Sequence, residues 1–408
     1  MQSKKINSVI RWWVTPKLPS EDVFAKHNFI TQWLVHPIKR RLARVYLDYL
    51  QKHTDIKVIG ITGSTGKTTT TEILASILSR VGRVTWSAEG VDPVYNIPNT
   101  ILKTMPGTKF LILEMSVEYL DEMDYYLWLA KPDLGIVTNI AVTHTEYLKN
   151  KEGVAREKGK MIKVLGKGDI AVLNSEDGTV RSLGKDTQAK VVYFGEKSNI
   201  SASNIRMNED MSTDFTLRVN SNTESVHMTV LGKQFVYNAL AAAAAADALG
   251  VGIKDIAKGI ELFKSPRHRL NILKSKSNGI IFDDTYNSNP KAAGESLDTF
   301  EAVAKGKTKI AVIGDMLELG KFEEEAHREL GKKAGNVGFS YIVGVGNAAR
   351  FLVEEASLKI GSENCFLVRD YVEALEIVRP ILDKDTALFV KGSRSIRLDK
   401  LVEALIAS

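Results

Sequence analysis

A chain of 408 residues is long enough for two or three cores, and 44% hydrophobic with 25% charged residues is the make-up of an ordinary globular protein. A single cysteine, Cys365, excludes a disulfide framework or a cysteine metal cluster and suits a reducing compartment. The formal charge of +6 is local: residues 1–55 hold ten Lys and Arg against four acids, and the rest of the chain is balanced, which argues against a nucleic-acid groove along its body. No apolar stretch approaches the roughly 18 residues that span a bilayer, so a cytoplasmic protein is expected.

Residues 1–55 read as a basic, aromatic-rich arm. Trp12, Trp13, Phe24, Phe29, Trp33, Leu34, Val35 and Ile38 stand beside "KRRLAR" at 39–44. Such a segment packs as a helical arm on its neighbour, or makes a peripheral membrane contact through residues 1–50, where rings and clustered cations suit a headgroup layer.

Residues 59–71, "IGITGSTGKTTTT", predict a strand that turns into a phosphate-binding loop and then a helix. Gly63, Ser64, Thr65 and Gly66 let the backbone wrap an anion, Lys67 adds a fixed charge, Thr68 stands where a hydroxyl binds Mg²⁺, and Thr69 continues into a helix whose N-terminus favours anions. The general pattern has glycine where Ile61 stands, so this is a shorter form, G-S-T-G-K-T. A glycine turn that merely joins strand to helix is the bland reading.

Further strands are expected at 109–114, 134–138, 169–173 and 191–194, alternating with helix-period segments as in a helix-covered parallel sheet. Glu114 ends one strand and His144 follows another, so both belong at the carboxyl edge beside the loop, where they can reach one metal. Each alone reads equally well as a helix-cap acid or a backbone-bonded loop histidine. Polar alternation over 200–231 suggests a small antiparallel meander, and the six alanines from Ala241 suggest a helix packed close on a sheet. After Pro266 a second series of strands (279–284, 308–315, 340–346, 364–368, 386–392) predicts another doubly wound unit. The expected fold class is therefore α/β, with a P-loop central domain on a parallel sheet (56–265) and a C-terminal Rossmann-like domain (266–408), hinged near 262–270.

Eight motifs occur in one order: "TGSTGKTTT", "LEMSV", "TNIAVTHTEYL", "REKGKMI", "PRHRL", "DDTYNSNP", "IGDMLELG" and "VKGSRS". Together they resemble the Mur ligase superfamily, ATP-dependent amide ligases of cell-wall precursor synthesis, and most of all its dipeptide-adding branch. The resemblance implies ATP and Mg²⁺ as cofactors, and an acceptor carboxylate activated as an acyl phosphate, then joined to an amino acid or dipeptide. It places Thr68, Glu114, His144 and Lys158 at metal, the lysine as a carbamate, and Arg269 at the γ-phosphate. It puts Asp284, with Asn287 nearby, at the ribose, Asn238 near the adenine, and Lys391, Ser393 and Arg394 at the incoming substrate. Taken alone, Lys158 sits in a charged run that reads as a solvated face, Arg269 as a surface charge, and Asp284 as a turn acid. The chain departs from the family at Gln234 and Phe235, where a His-Asn pair is usual, and the 55 residues before the first strand are too few for the family's UDP-sugar domain. Another ligase of the superfamily, of folylpolyglutamate or polyamino-acid type, and a non-catalytic nucleotide-binding scaffold are the alternatives.

Overall fold

The computed structural model describes residues 31–406 apart from Glu89, without the side chains of Gln32 and Trp33. The expectations for Trp12, Trp13, Phe24, Phe29 and the Trp33 ring lie outside the described residues.

The first sheet is built on β1 (Lys57–Thr62), in which every residue after Lys57 is buried, a continuous apolar run typical of a strand covered on both faces. Alternate side chains serve two cores: Ile59 and Ile61 face one, Val58 the other. With β2 (Val84–Trp86), β3 (Phe110–Glu114), β4 (Leu134–Val137), β5 (Ile170–Asn174), β6 (Lys190–Phe194), β7 (Ile200–Met207), β8 (Thr213–Val219) and β9 (Asn222–Met228), the order is β2-β3-β1-β4-β5-β6-β7-β8-β9. β1 lies between β3 and β4, both parallel to it. The chain order reverses there, and that opens a crevice at the carboxyl ends of the strands.

The meander expected at 200–231 exists as antiparallel β7, β8 and β9, but it is not a separate unit. Phe194 pairs with Ile200 in parallel, so the three strands extend the same sheet to nine. Polar alternation marks a strand with one solvated face; it carries no information about which sheet the strand joins. Three-residue β2 is too short to register as a periodic pattern.

On one face of this sheet the helix Lys67–Leu78 packs against the helix Lys233–Ala248, whose Ala241–Ala246 are all fully buried. On the other face lies the described part of the arm, the helix His36–His53. Its Ala43, Leu47 and Leu50 enter the core, each leucine contributing about 1.5–3 kcal/mol by burial. Its buried Arg40 lies over the Tyr125 ring at 5.3 Å, and Arg44 over Trp128 at 4.9 Å. The helix is apolar on its outer face as well: Ile38, Leu42, Val45 and Tyr49, spaced as one stripe, are all exposed, Val45 to 66%. Among the described residues no helix is long and apolar enough to cross a membrane.

The second sheet, in the order β10-β11-β15-β12-β13-β14, consists of β10 (Asn271–Lys274), β11 (Ile280–Asp284), β12 (Thr308–Gly314), β13 (Tyr341–Val345), β14 (Cys365–Val368) and β15 (Thr386–Lys391). Only β10 is antiparallel to its neighbour. Phe282, Phe300, Phe339 and Phe389 form an aromatic core under it.

Candidate active site

The two sheets meet around a cleft of about 1020 Å³, lined from both sides. The loop after β1 forms its floor. Gly66 takes φ 80°, left-handed backbone that starts the following helix, and a methyl there would collide with the side-chain oxygen of Asn238. The loop is fixed by the end of β4. Asn139 O accepts from Ser64 N (2.9 Å), Asn139 Oδ1 from Thr65 N (3.1 Å), Asn139 Nδ2 donates to Thr65 Oγ1 (2.8 Å), and Thr138 Oγ1 donates to Thr65 O (2.6 Å). Lys67 Nζ rests on Gly63 O at 3.0 Å. Burial lowers the pKa of this lysine, Glu114 opposes the shift, and Arg269 adds to it.

From the other half, Arg269 reaches into this floor. Its Nη2 donates to Thr68 Oγ1 at 3.0 Å, and that hydroxyl donates to Glu114 Oε2 at 2.9 Å. Tyr286 holds the guanidinium, whose carbon lies 3.9 Å from the ring centroid. The strand-end backbone of Glu114 is anchored by Ser87 Oγ at 3.1 Å.

Behind these residues lies Lys158, fully buried in the helix Lys151–Lys163, and its Nζ has no hydrogen-bond partner. Burial lowers its pKa from 10.5 to about 7, helped by Lys67 and opposed by Glu122, Glu118 and Glu114. The bland alternative of a solvated face does not hold at this position: the helix turns Lys158 inward, while Lys160 pairs with Asp121, Asp124 and Glu157. Glu122, bonded by Tyr126 and by the Glu118 and Tyr119 backbones, is pushed up to about 7 by burial.

His144 lies at the mouth of this corner with φ 53°. Its Nδ1 is 2.5 Å from Oε2 of Glu318, a residue of the second half whose φ is 64°. Glu146 N donates to Glu318 O (3.2 Å) and Thr145 Oγ1 to Leu319 O (2.9 Å), so backbone and side chains bond across the cleft. Left-handed backbone at two bulky residues costs on the order of 1–3 kcal/mol each and persists only where the surroundings enforce it. Ligand atoms of Glu118, His144 and Glu318 all lie within 4.8 Å of one another. Two carboxylates and one imidazole this close together make a donor set that fits a divalent cation.

On the substrate side, Lys391 is 1% exposed and its Nζ binds Asp284 Oδ2 (2.5 Å) and Asn287 O (3.1 Å). Ser296 Oγ also donates to Asp284 Oδ2, and Leu270 N to Oδ1. Lys391 and Asp284 thus neutralise each other. Buried Ser393 braces a loop, accepting from Leu317 N at 3.0 Å and donating its own N–H to Asp315 O at 3.1 Å. Arg394, unlike Lys391 and Ser393, is exposed, beside Tyr286.

The sequence reading passed over Thr138, Asn139, Glu118 and Glu318. The last lies inside the "GDMLELG" motif and Glu118 four residues after Glu114, but nothing in either stretch shows that the two acids converge on His144.

Comparison with known proteins agrees with this geometry. The chain matches the Mur ligase middle domain over residues 61–246 and the Mur ligase, glutamate ligase domain over 268–394. It is 30% identical to a UDP-N-acetylmuramoyl-tripeptide--D-alanyl-D-alanine ligase of Buchnera aphidicola, covering 93% of this chain and 81% of that one. Among solved structures it superposes on MurF from Acinetobacter baumannii with a TM-score of 0.81 at 26% identity (91% of this chain, 81% of that one). It also superposes on the MurF ligase of Thermotoga maritima in complex with ADP, with a TM-score of 0.77 at 25% identity (91% and 83%). Two sheets facing one phosphate loop, an arginine crossing from the second to the first, and matches along both halves lead to one conclusion: the chain belongs to the Mur ligase family and is an enzyme of that ligase class.

Proposed function

We propose that this chain is an ATP-dependent, ADP-forming amide ligase of peptidoglycan precursor synthesis, working in the cytoplasm. The relatives' names supply the substrates: a UDP-N-acetylmuramoyl-tripeptide as acceptor and D-alanyl-D-alanine as amine. The observation that carries the reading is the chain of contacts from Arg269 through Thr68 to Glu114, which brings both halves onto the loop that takes the γ-phosphate. Lys67, the loop amides and Arg269 stabilise negative charge on the phosphoryl oxygens while the acceptor carboxylate attacks phosphorus and ADP leaves. The amine then attacks the acyl phosphate, forms the amide and expels inorganic phosphate. Thr68, Glu114, His144 and Lys158 as its carbamate would hold Mg²⁺, which when bound adds positive charge against the phosphoryl group. Burial that lowers the amine to about 7 raises the share of its neutral form, the form that takes up CO₂. Asn238 would lie by the base and Asp284 with Asn287 by the ribose. Since Lys391 is held by Asp284, Arg394 is the cation open to the incoming carboxylate, with Lys391 and Ser393 shaping its loop. ADP release measured with UDP-muramoyl peptides, lipid-linked precursors and free amino acids as acceptors tests the reading. Release that depends on a muramoyl-tripeptide together with D-alanyl-D-alanine is expected; release with folate or polyamino-acid acceptors instead would overturn the substrate assignment.

A second reading concerns the helix His36–His53. We infer that its exposed stripe, Ile38, Leu42, Val45 and Tyr49, flanked by Lys39, Arg41 and Lys52, rests on an anionic membrane surface. A helix apolar on both faces calls for cover on its outer side, and the ten cations of residues 1–55 suit anionic lipid. Removing residues 1–50 would also strip Ala43, Leu47 and Leu50 from the core, so the cleaner test is I38E/L42E/V45E. Co-sedimentation with phosphatidylserine vesicles is expected to vanish in this variant while ATP affinity stays; equal sedimentation of both proteins would refute the membrane role.

A further inference from the structure

The acidic corner contains a group that the proposed ATP and metal chemistry does not use. Glu318 belongs to the second half of the molecule, yet its carboxylate ends on a histidine of the first. We infer that Glu318 is a positioning residue that aims His144 at the metal, so that the metal site is complete only when the two halves are together. The inference rests on the proposed metal role of His144.

The geometry supports it in three ways. A carboxylate has no proton to give at neutral pH, so Nδ1 of His144 donates to it, and Nε2 is left with its lone pair free for a cation. That is the arrangement in which a metal-bound imidazole has its tautomer and ring orientation fixed by an outer carboxylate.

Next, Glu318 is held on a rigid loop. Met316 N donates to Nε2 of the buried His327, whose Nδ1 is bonded to Glu323 O, and Leu317 N donates to Ser393 Oγ. These contacts flank Glu318 on its N-terminal side, and Leu319 O is held by Thr145 on the other.

Last, both residues sit in left-handed backbone although neither is glycine. Two residues beyond His144, Glu146 N donates to Glu318 O, so the two segments are also bonded through main chain, and this contact is lost if the halves separate. Glu118, the third member of the corner, comes from the same half as His144 and cannot report on closure.

The test uses the full chain with Mn²⁺ in place of Mg²⁺ and a non-hydrolysable ATP analogue, read by electron paramagnetic resonance. Mn²⁺ affinity is expected to fall roughly tenfold or more in Glu318→Ala, the usual loss when such an outer partner is removed. Glu318→Gln, which keeps the shape and offers its carbonyl oxygen to Nδ1–H, should recover most of that affinity. Nitrogen coupling from an imidazole to Mn²⁺ should be present in the wild type and in Glu318→Gln, and weakened in Glu318→Ala. Unchanged Mn²⁺ affinity in Glu318→Ala overturns the proposal. So does a Glu318→Gln as weak as the alanine variant, because that pattern marks a carboxylate bound to the ion itself. A wild type without nitrogen coupling refutes the metal role of His144, a failure distinct from either.

Discussion

The phosphate loop and the acidic corner share one cleft but are assembled differently. The loop is braced within its own half by Thr138, Asn139 and Asn238, residues that follow β4 or open the alanine-rich helix. The corner is shared: Glu118, His144 and Lys158 come from the first half, Glu318 from the second. A site built within one half keeps its shape whether or not the halves meet. A site built from both has that shape only in the closed molecule, which suits chemistry that must exclude water until the acyl phosphate is formed.

The largest effect belongs to the loop. Lys67→Ala should lower ligase turnover about a thousandfold, or about 4 kcal/mol of barrier, with little change in thermal unfolding. A variant that still formed amide near the wild-type rate would remove the loop from the chemistry.

At the corner, Lys158→Ala should lose most activity and regain part of it when a short carboxylic acid is added, since the missing charge is that of a carbamate. Full activity without added acid would exclude the carbamate role.

Asn139→Ala leaves Thr65 N and Thr65 Oγ1 without their partners and should destabilise the protein by about 1–3 kcal/mol in urea unfolding, even with no ligand present. Equal destabilisation by Glu318→Gln would erase the contrast between the two regions, because the corner's bonds between halves are expected to matter for assembly of the site and little for the fold.

The last expectation is a slope. Free Lys158 titrates near 7 when folded, against 10.5 ordinarily. Between those values the unfolded chain binds the extra proton, so in CO₂-free buffer stability should rise with pH from about 7 to 10.5, approaching about 1.4 kcal/mol per unit. Lys158→Met should flatten that rise; an identical profile would mean that the lysine is not held neutral.

The same contrast explains what the sequence made legible. The loop is contiguous, and its glycines, Lys67 and Thr68 carry their chemistry in their spacing. Glu114 and His144 were placed by their position after strands, a consequence of sheet topology. The alternation that marked 200–231 as strands could not assign them to the first sheet, because that depends on the single parallel pairing at Phe194 and Ile200. Lys158 among other charges gave no sign of burial, since a helix of mixed charge looks alike from either side until its partners are known. Lys391 and Asp284 were each expected at a ligand, and nothing in their separate motifs shows that they also pair with each other. Glu318 and His144 stand 174 residues apart, and no local pattern encodes a bond over that separation.

The alanine run at 241–246 has a further consequence. Its composition is the plainest in the chain, and such a tract invites the idea that it tolerates drift. Yet all six side chains are fully buried, with another helix packed on them and Asn238, three residues ahead, against the phosphate loop. Every added methylene would have to displace a neighbour, at about 1–3 kcal/mol each. In a saturation mutagenesis scan this low-information segment should therefore stand out as a band of intolerance, and glycine and serine should be its mildest replacements. At these six positions the constraint is volume alone, with no polar group or charge to preserve.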